Sequence, residues 1–171
     1  PQHVFDRDHL DGGAVVIRSA KSDETMISLD DSMLTLDAAD LVIADASRPQ
    51  ALAGVMGGAA SMVTHGSTRG LLEIAWFEPS GVRTSSKRHG LHTDSSHRFE
   101  RQVDHGALLD AAARWRAQLQ SEVQALAAAP APTMPTPLAG AGASAEPSSH
   151  LQPPSATELP TDALVRLLSA A

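Results

Sequence analysis

Short apolar runs separated by turn-forming residues fill residues 1–106, and a longer helical periodicity takes over from Ala107. Ala14-Val15-Val16-Ile17 follows Gly12-Gly13 and predicts a strand. Residues 25–29 and 33–36 flank Asp30-Asp31-Ser32, the pattern of a hairpin. Residues 41–44 are apolar at every position, which predicts a strand covered on both faces. Residues 71–77 predict a central strand that ends before Pro79, and residues 79–88 a short helix with Pro79 in its first turn. Between these lies Ala53-Gly54-Val55-Met56-Gly57-Gly58, whose three glycines in five residues suit a tight turn or a close backbone approach.

From Ala107 onward, Leu108, Leu109, Ala112, Trp115, Leu119, Val123 and Leu126 recur at spacings of three and four, an amphipathic helical stripe. The stripe stops at Ala129-Pro130. Residues 130–160 hold 8 of the 11 prolines among Ala, Ser, Thr and Gly, a composition that buries too little apolar surface to order itself. A folded domain over 1–129, a flexible linker over 130–160 and a capped helix start from Thr161 are therefore expected.

Composition narrows the class. Apolar residues make up 42% of the 171 positions but aromatics only 3%, with no Tyr, so the core is expected to be aliphatic. The net charge of -7 argues against a protein that coats nucleic acid by bulk electrostatics. The lack of cysteine excludes disulfides, a thiol nucleophile and a Cys-based zinc site. There is neither a membrane-length apolar run nor a signal-peptide pattern, so a cytoplasmic protein is the default expectation. A chain opening at Pro1 within patterned sequence reads as a fragment.

Candidate chemistry concentrates between Arg83 and Arg101. Arg83, Lys87, Arg88, Arg98 and Arg101 are five of the 13 basic residues, gathered in 19 positions. They suit contacts to phosphate oxygens, or they pair with carboxylates elsewhere in the fold. His89, His92, His97 and His105 lack the paired spacing of a helical zinc site, and no metal is assigned. Glu73 stands inside an apolar strand, a place where a carboxylate needs either solvent or a partner. No Gly-x-Ser-x-Gly elbow supports a covalent hydrolase.

Three ordered blocks resemble one family. PQHVFDRDHLDGG is similar to its PMHAFD segment, LVIADASRPQALAGVMGG to its LVIAD…ALAGIMGG stretch, and LLEIAWFEPSGVRTSSKRHGLHTDSSHRFERQVD to its HGLRTEAS-RFERGVD block. Over residues 1–125 the chain thus resembles the B3/B4 domain of the beta subunit of bacterial phenylalanyl-tRNA synthetase, and TELPTDALVRLLSAA resembles the start of the B5 domain that follows it.

The resemblance implies an α+β fold, a B3/B4-like mixed sheet with flanking helices, and a cavity that takes the aminoacyl end of mischarged tRNA. By position, Glu73 matches the glutamate that recognises a tyrosine hydroxyl. Gly57 and Gly58 match the glycine turn that leaves room for the amino acid, and Thr93 and Ser95 match the pocket wall. His3 matches a histidine near the ester, which orients water or ribose. No nucleophilic side chain is implied; water attacks the ester. The implied partners are tRNA(Phe) and an alpha subunit in an alpha2beta2 assembly, with ATP and Mg2+ bound elsewhere in that parent and no cofactor in this chain. A freestanding trans-editing deacylase and a non-catalytic docking module are the alternatives. Ser95 stands where the family commonly has alanine, Gln102 stands where it has glycine, and the B3 portion before PMHAFD has no counterpart here.

Overall fold

The computed structural model describes residues 1–128; the linker and B5-like segments expected from the sequence lie outside them. The fold is α+β, as expected. Its eight strands are β1 (His3–Asp6), β2 (Val16–Ser19), β3 (Thr25–Ile27), β4 (Met33–Thr35), β5 (Leu41–Ala44), β6 (Pro49–Leu52), β7 (Met56–Gly57) and β8 (Gly70–Glu73). Its helices are α1 (Pro79–His89), α2 (Asp94–Phe99) and α3 (Leu108–Ala128). The strands form a four-stranded sheet ordered β2-β5-β6-β7 and two two-stranded ribbons, β1-β8 and β3-β4, with antiparallel pairing in each.

Local chemistry explains most of these elements. The β3–β4 hairpin closes over Asp30-Asp31-Ser32, where Asp31 takes a left-handed φ of 63° that a short polar side chain tolerates. Strand β5 is buried at Val42, Ile43 and Ala44, in line with its unbroken apolar run. Helix α1 starts with Pro79 behind Glu78, whose carboxylate accepts from the Gly81 N–H, and ends on Gly90 at φ 65°.

Three expectations need correction. The segment 71–77 is not a central strand: β8 stops at Glu73 and pairs only with β1, in the register His3↔Glu73. Beyond that pair no strand among the described residues pairs with residues 74–77, and Phe77 turns inward against Phe99, ring centroids 4.9 Å apart. The core is not purely aliphatic, because Phe5, Phe77 and Phe99 are all buried in it beside Val42, Ile43 and Leu52. The amphipathic stripe does form α3, but among its described side chains only Leu108 is buried; Leu109 and Val123 are 66% and 56% exposed.

A buried acid ties the helices to the sheet. Asp40, fully buried just before β5, accepts from Ser85 Oγ and His89 Nε2 at 2.7 Å each, from Arg88, and from the Asp37 N–H at 2.9 Å. Burial alone would push its carboxyl up; the hydrogen bonds outweigh it and hold the pKa below its ordinary value. Another residue carries strain. Gln102 adopts φ 73° just after α2, a left-handed backbone that disfavours any Cβ. The family pattern has glycine there, and the backbone explains why. Gln102→Gly is expected to raise stability by about 1 kcal/mol in urea unfolding, the strain relief exceeding the added chain entropy. A lower midpoint at unchanged m would contradict this.

Candidate functional site

The β1–β8 ribbon builds the first wall. Side chains alternate across a strand, and residues directly opposite share a face. His3, Phe5, Leu71 and Glu73 therefore line one side, with His3 opposite Glu73 and Phe5 opposite Leu71. Phe5 is fully buried, and the same face carries Glu73 inside to 7% exposure. The His3 ring meets the Phe5 ring edge-on at 4.5 Å.

The glycine segment builds the second wall, as the turn between β6 and β7. Gly54 has φ 71°, and a Cβ on it would lie 2.9 Å from Phe77 and 3.0 Å from Val82. A Cβ on Gly57 would lie 2.4 Å from His3 Cε1, so the space that this glycine leaves is filled by the imidazole. Gly58 instead faces the Gln50 carbonyl, 2.7 Å from where its Cβ would stand, and does not border the cavity.

Helix α2 closes the third side. Thr93 is its N-cap: Oγ1 accepts from the Ser96 N–H at 3.0 Å and donates to the Val55 carbonyl at 2.7 Å. Ser95 Oγ donates to the Gly54 carbonyl at 3.0 Å. Two hydroxyls thus stitch α2 to the glycine turn and fix the distance between walls.

The three walls border an open cavity of about 380 Å³. His3, Gly57, Glu73, Thr93, Ser95 and Arg98 border it, and Leu29, Ile43, Leu52, Val55 and Met56 give it an aliphatic lining. The Glu73 carboxyl has no hydrogen bond or ion pair among the described residues. Burial pushes its pKa up to about 7. Burial likewise lowers the His3 pKa, and its Nε2 has no partner. The site thus offers an apolar slot with an unpartnered carboxyl and an unpartnered imidazole.

The basic cluster divides. Arg88 is bound to Asp40, Arg101 reaches Glu100 at 2.6 Å, and Arg83 lies 3.8 Å from the same carboxylate. Lys87 and Arg98 have no ion pair among the described residues, and of the five only Arg98 borders the cavity. His89 donates to Asp40, His105 stands edge-on to Trp76, and no group of His, Asp and Glu able to hold a metal occurs among the described residues. Asp94 and Gln2 also border the cavity, though no feature of the sequence singles them out. The one signal for Asp94 is its spacing from Arg98, one helical turn away.

The B3/4 domain family model matches residues 1–123. This chain belongs to the B3/4 domain family. Curated relatives are the phenylalanine–tRNA ligase beta subunits of Anaeromyxobacter dehalogenans, 49% identical over 117 residues, and of Geobacter sulfurreducens, 47% identical over 122 residues. That of Halalkalibacterium halodurans is 49% identical over 123 residues. These matches cover 68%, 70% and 72% of the chain, which spans about 15% of each relative's length.

The raised Glu73 pKa makes the stability of this B3/4 domain depend on pH. A carboxyl with a folded pKa near 7 and an ordinary value of 4.5 binds more protons folded than unfolded between those limits. Its contribution is complete below about pH 4.5 and is lost as pH rises through 7, about 3 kcal/mol in all. Glu73→Gln is therefore expected to match the parent chain near pH 4.5 and to become more stable than it toward pH 8. Urea unfolding at both pH values checks this; a constant difference would show Glu73 to be ordinarily solvated.

Proposed function

We propose that this chain is the editing module of a phenylalanine–tRNA ligase beta subunit, with residues 1–129 as the domain that hydrolyses tyrosine mischarged onto tRNA(Phe). The observation that carries the reading is the buried, unpartnered Glu73 carboxyl at an aliphatic cavity of about 380 Å³. The aliphatic lining suits an aromatic ring, and the carboxyl suits its phenolic hydroxyl. A phenylalanyl ring would leave that carboxyl unpaired, which is how a polar pocket rejects an analogue lacking one hydroxyl.

In this reading, water adds to the ester carbonyl carbon and the carbonyl electrons move to oxygen. Collapse expels the terminal ribose oxygen, which takes up a proton originating from the water, and free tyrosine leaves. His3, held neutral by burial, orients the water or the ribose rather than forming a covalent bond. Hydrogen bonds to the developing oxyanion lower the barrier. The alpha subunit performs charging with ATP and Mg2+, within an alpha2beta2 cytoplasmic assembly. The family membership and the beta-subunit relatives favour this reading over a freestanding deacylase.

The assembled alpha and beta subunits, given Tyr-tRNA(Phe), provide the test. Loss of one hydrogen bond to a carboxylate predicts that Glu73→Ala lowers kcat/KM for Tyr-tRNA hydrolysis by about 10- to 100-fold, with phenylalanine charging unchanged. Equal hydrolysis by variant and parent overturns the role of Glu73. Ser95→Trp tests the cavity itself. Its indole is expected to fill the slot beside Gly54 and abolish Tyr-tRNA hydrolysis while phenylalanine charging persists. Concurrent loss of charging would mark a folding defect.

A further inference from the structure

Helix α2 presents two charged side chains at the cavity that have no partner among the described residues and no part in the proposed chemistry. Asp94 and Arg98 are four residues apart on one face, both exposed and both bordering the cavity. Neither forms an ion pair or hydrogen bond among the described residues, whereas Thr93, Ser95 and Ser96 all use their hydroxyls. Arg98 also borders a neighbouring cavity of about 440 Å³, whose apolar side includes Val103, Ala107 and Leu108. Behind this charged rim stands Glu73, 7% exposed, unpartnered and facing the same cavity. The arrangement is an apolar slot with a polar floor and a mouth that bears one negative and one positive group.

An aminoacyl ester of a nucleotide has the matching charges. Its α-ammonium sits next to the ester carbonyl, and its nearest anion is the phosphodiester across the terminal ribose. With the aromatic ring in the slot and its hydroxyl on Glu73, the ester lies at the mouth. There the ammonium meets a carboxylate and the phosphate meets a guanidinium, whose planar donors suit phosphate oxygens.

We infer that Asp94 and Arg98 form a two-charge rim subsite for the free α-ammonium and the terminal phosphodiester, so that the site admits unblocked aminoacyl esters and rejects N-acylated ones. This deepens the editing reading and rests on it for the direction in which the ligand lies. Blocking the amine removes its charge, adds bulk, and leaves Asp94 facing no cation. Asp94 is a specificity residue in this scheme and Arg98 a positioning one.

The test uses non-hydrolysable 3′-tyrosylamido-adenosine 5′-phosphate, its N-acetyl derivative, its form lacking the 5′-phosphate and its phenylalanyl counterpart, titrated into the full chain by calorimetry at low ionic strength. The parent is expected to bind the unblocked probe about 10-fold more tightly than the N-acetyl one, the size of one charge-assisted hydrogen bond. Asp94→Asn is expected to bring that ratio close to one with little change in affinity for the N-acetyl probe. Arg98→Gln is expected to erase a preference of about 5-fold for the phosphorylated probe while keeping the amine preference. A purely structural Asp94, acting on the first turn of α2, would weaken all probes alike and leave the ratios intact, which overturns the inference. So does a parent chain that binds blocked and unblocked probes equally, even where it hydrolyses Tyr-tRNA. Amine-dependent binding with no difference between tyrosyl and phenylalanyl probes would instead sink the role of Glu73 and keep the rim. Failure to bind any probe overturns both.

Discussion

The antiparallel register of β1 and β8 is the constraint from which the cavity follows. Pairing His3 with Glu73 also pairs Phe5 with Leu71, and the alternation of a strand then places all four on one face. Phe5 and Leu71 must be buried, so the carboxyl and imidazole are carried inward with them. A slip of one residue in β8 would turn Glu73 into solvent and bring Leu72 inside instead, and a slip in β1 would do the same to His3 and Val4. The polar floor of the cavity is therefore a consequence of packing its apolar neighbours, and it cannot drift independently of the core.

The remaining walls are positioned by contacts that leave the floor free. Gly54 lets Phe77, Val82 and Phe99 approach the turn, and Gly57 leaves the volume that the His3 ring occupies. Thr93 and Ser95 spend their hydroxyl protons on the carbonyls of that same turn, which holds α2 in place but removes both protons from ligand recognition. Asp40 fastens α1 to the sheet through three of its donors, Ser85, Arg88 and His89. Among the described residues the buried side-chain atoms without a partner are His3 Nε2, Gln50 Oε1 and Ser61 Oγ, and of these only His3 borders the cavity, where the Glu73 carboxyl also has none. Natural folds satisfy buried polar groups almost everywhere, and exceptions cluster where a ligand completes the set.

Elements with a local cause were legible in the sequence. The β3–β4 hairpin was marked by its Asp-rich turn, α1 by Pro79, and β5 by its unbroken apolar run. Glu73 was legible as an anomaly, a carboxyl among aliphatic residues. What remained hidden depended on long-range pairing. Nothing near residue 71 tells that β8 pairs with β1, some 64 to 70 positions earlier in the chain, and so ends at Glu73. The Asp40 cluster joins groups 45 to 49 residues apart, so Arg88 read as a phosphate candidate until its partner was in view. Gly58 read as part of the pocket because its neighbour Gly57 is, yet adjacent residues on an extended segment face opposite ways. The α3 stripe had the right period, but periodicity tells which face is apolar and not whether anything covers it.

The distribution of charge between floor and mouth bears on how such a site discriminates. At the floor, burial drives both titratable groups toward their neutral forms, Glu73 upward and His3 downward. A neutral carboxyl both donates and accepts, as a phenol does, so the floor can match a phenolic hydroxyl in either protonation state while offering little to a bare ring. The mouth is different: Asp94 and Arg98 are exposed, where charge costs little to keep and acts over a longer reach. In the proposed reading a ligand is oriented by its charged end before its ring is sorted at the floor. Were the charges reversed in place, with an ionised floor and a neutral rim, desolvation would penalise every aromatic entrant alike, and the missing hydroxyl would no longer decide the outcome.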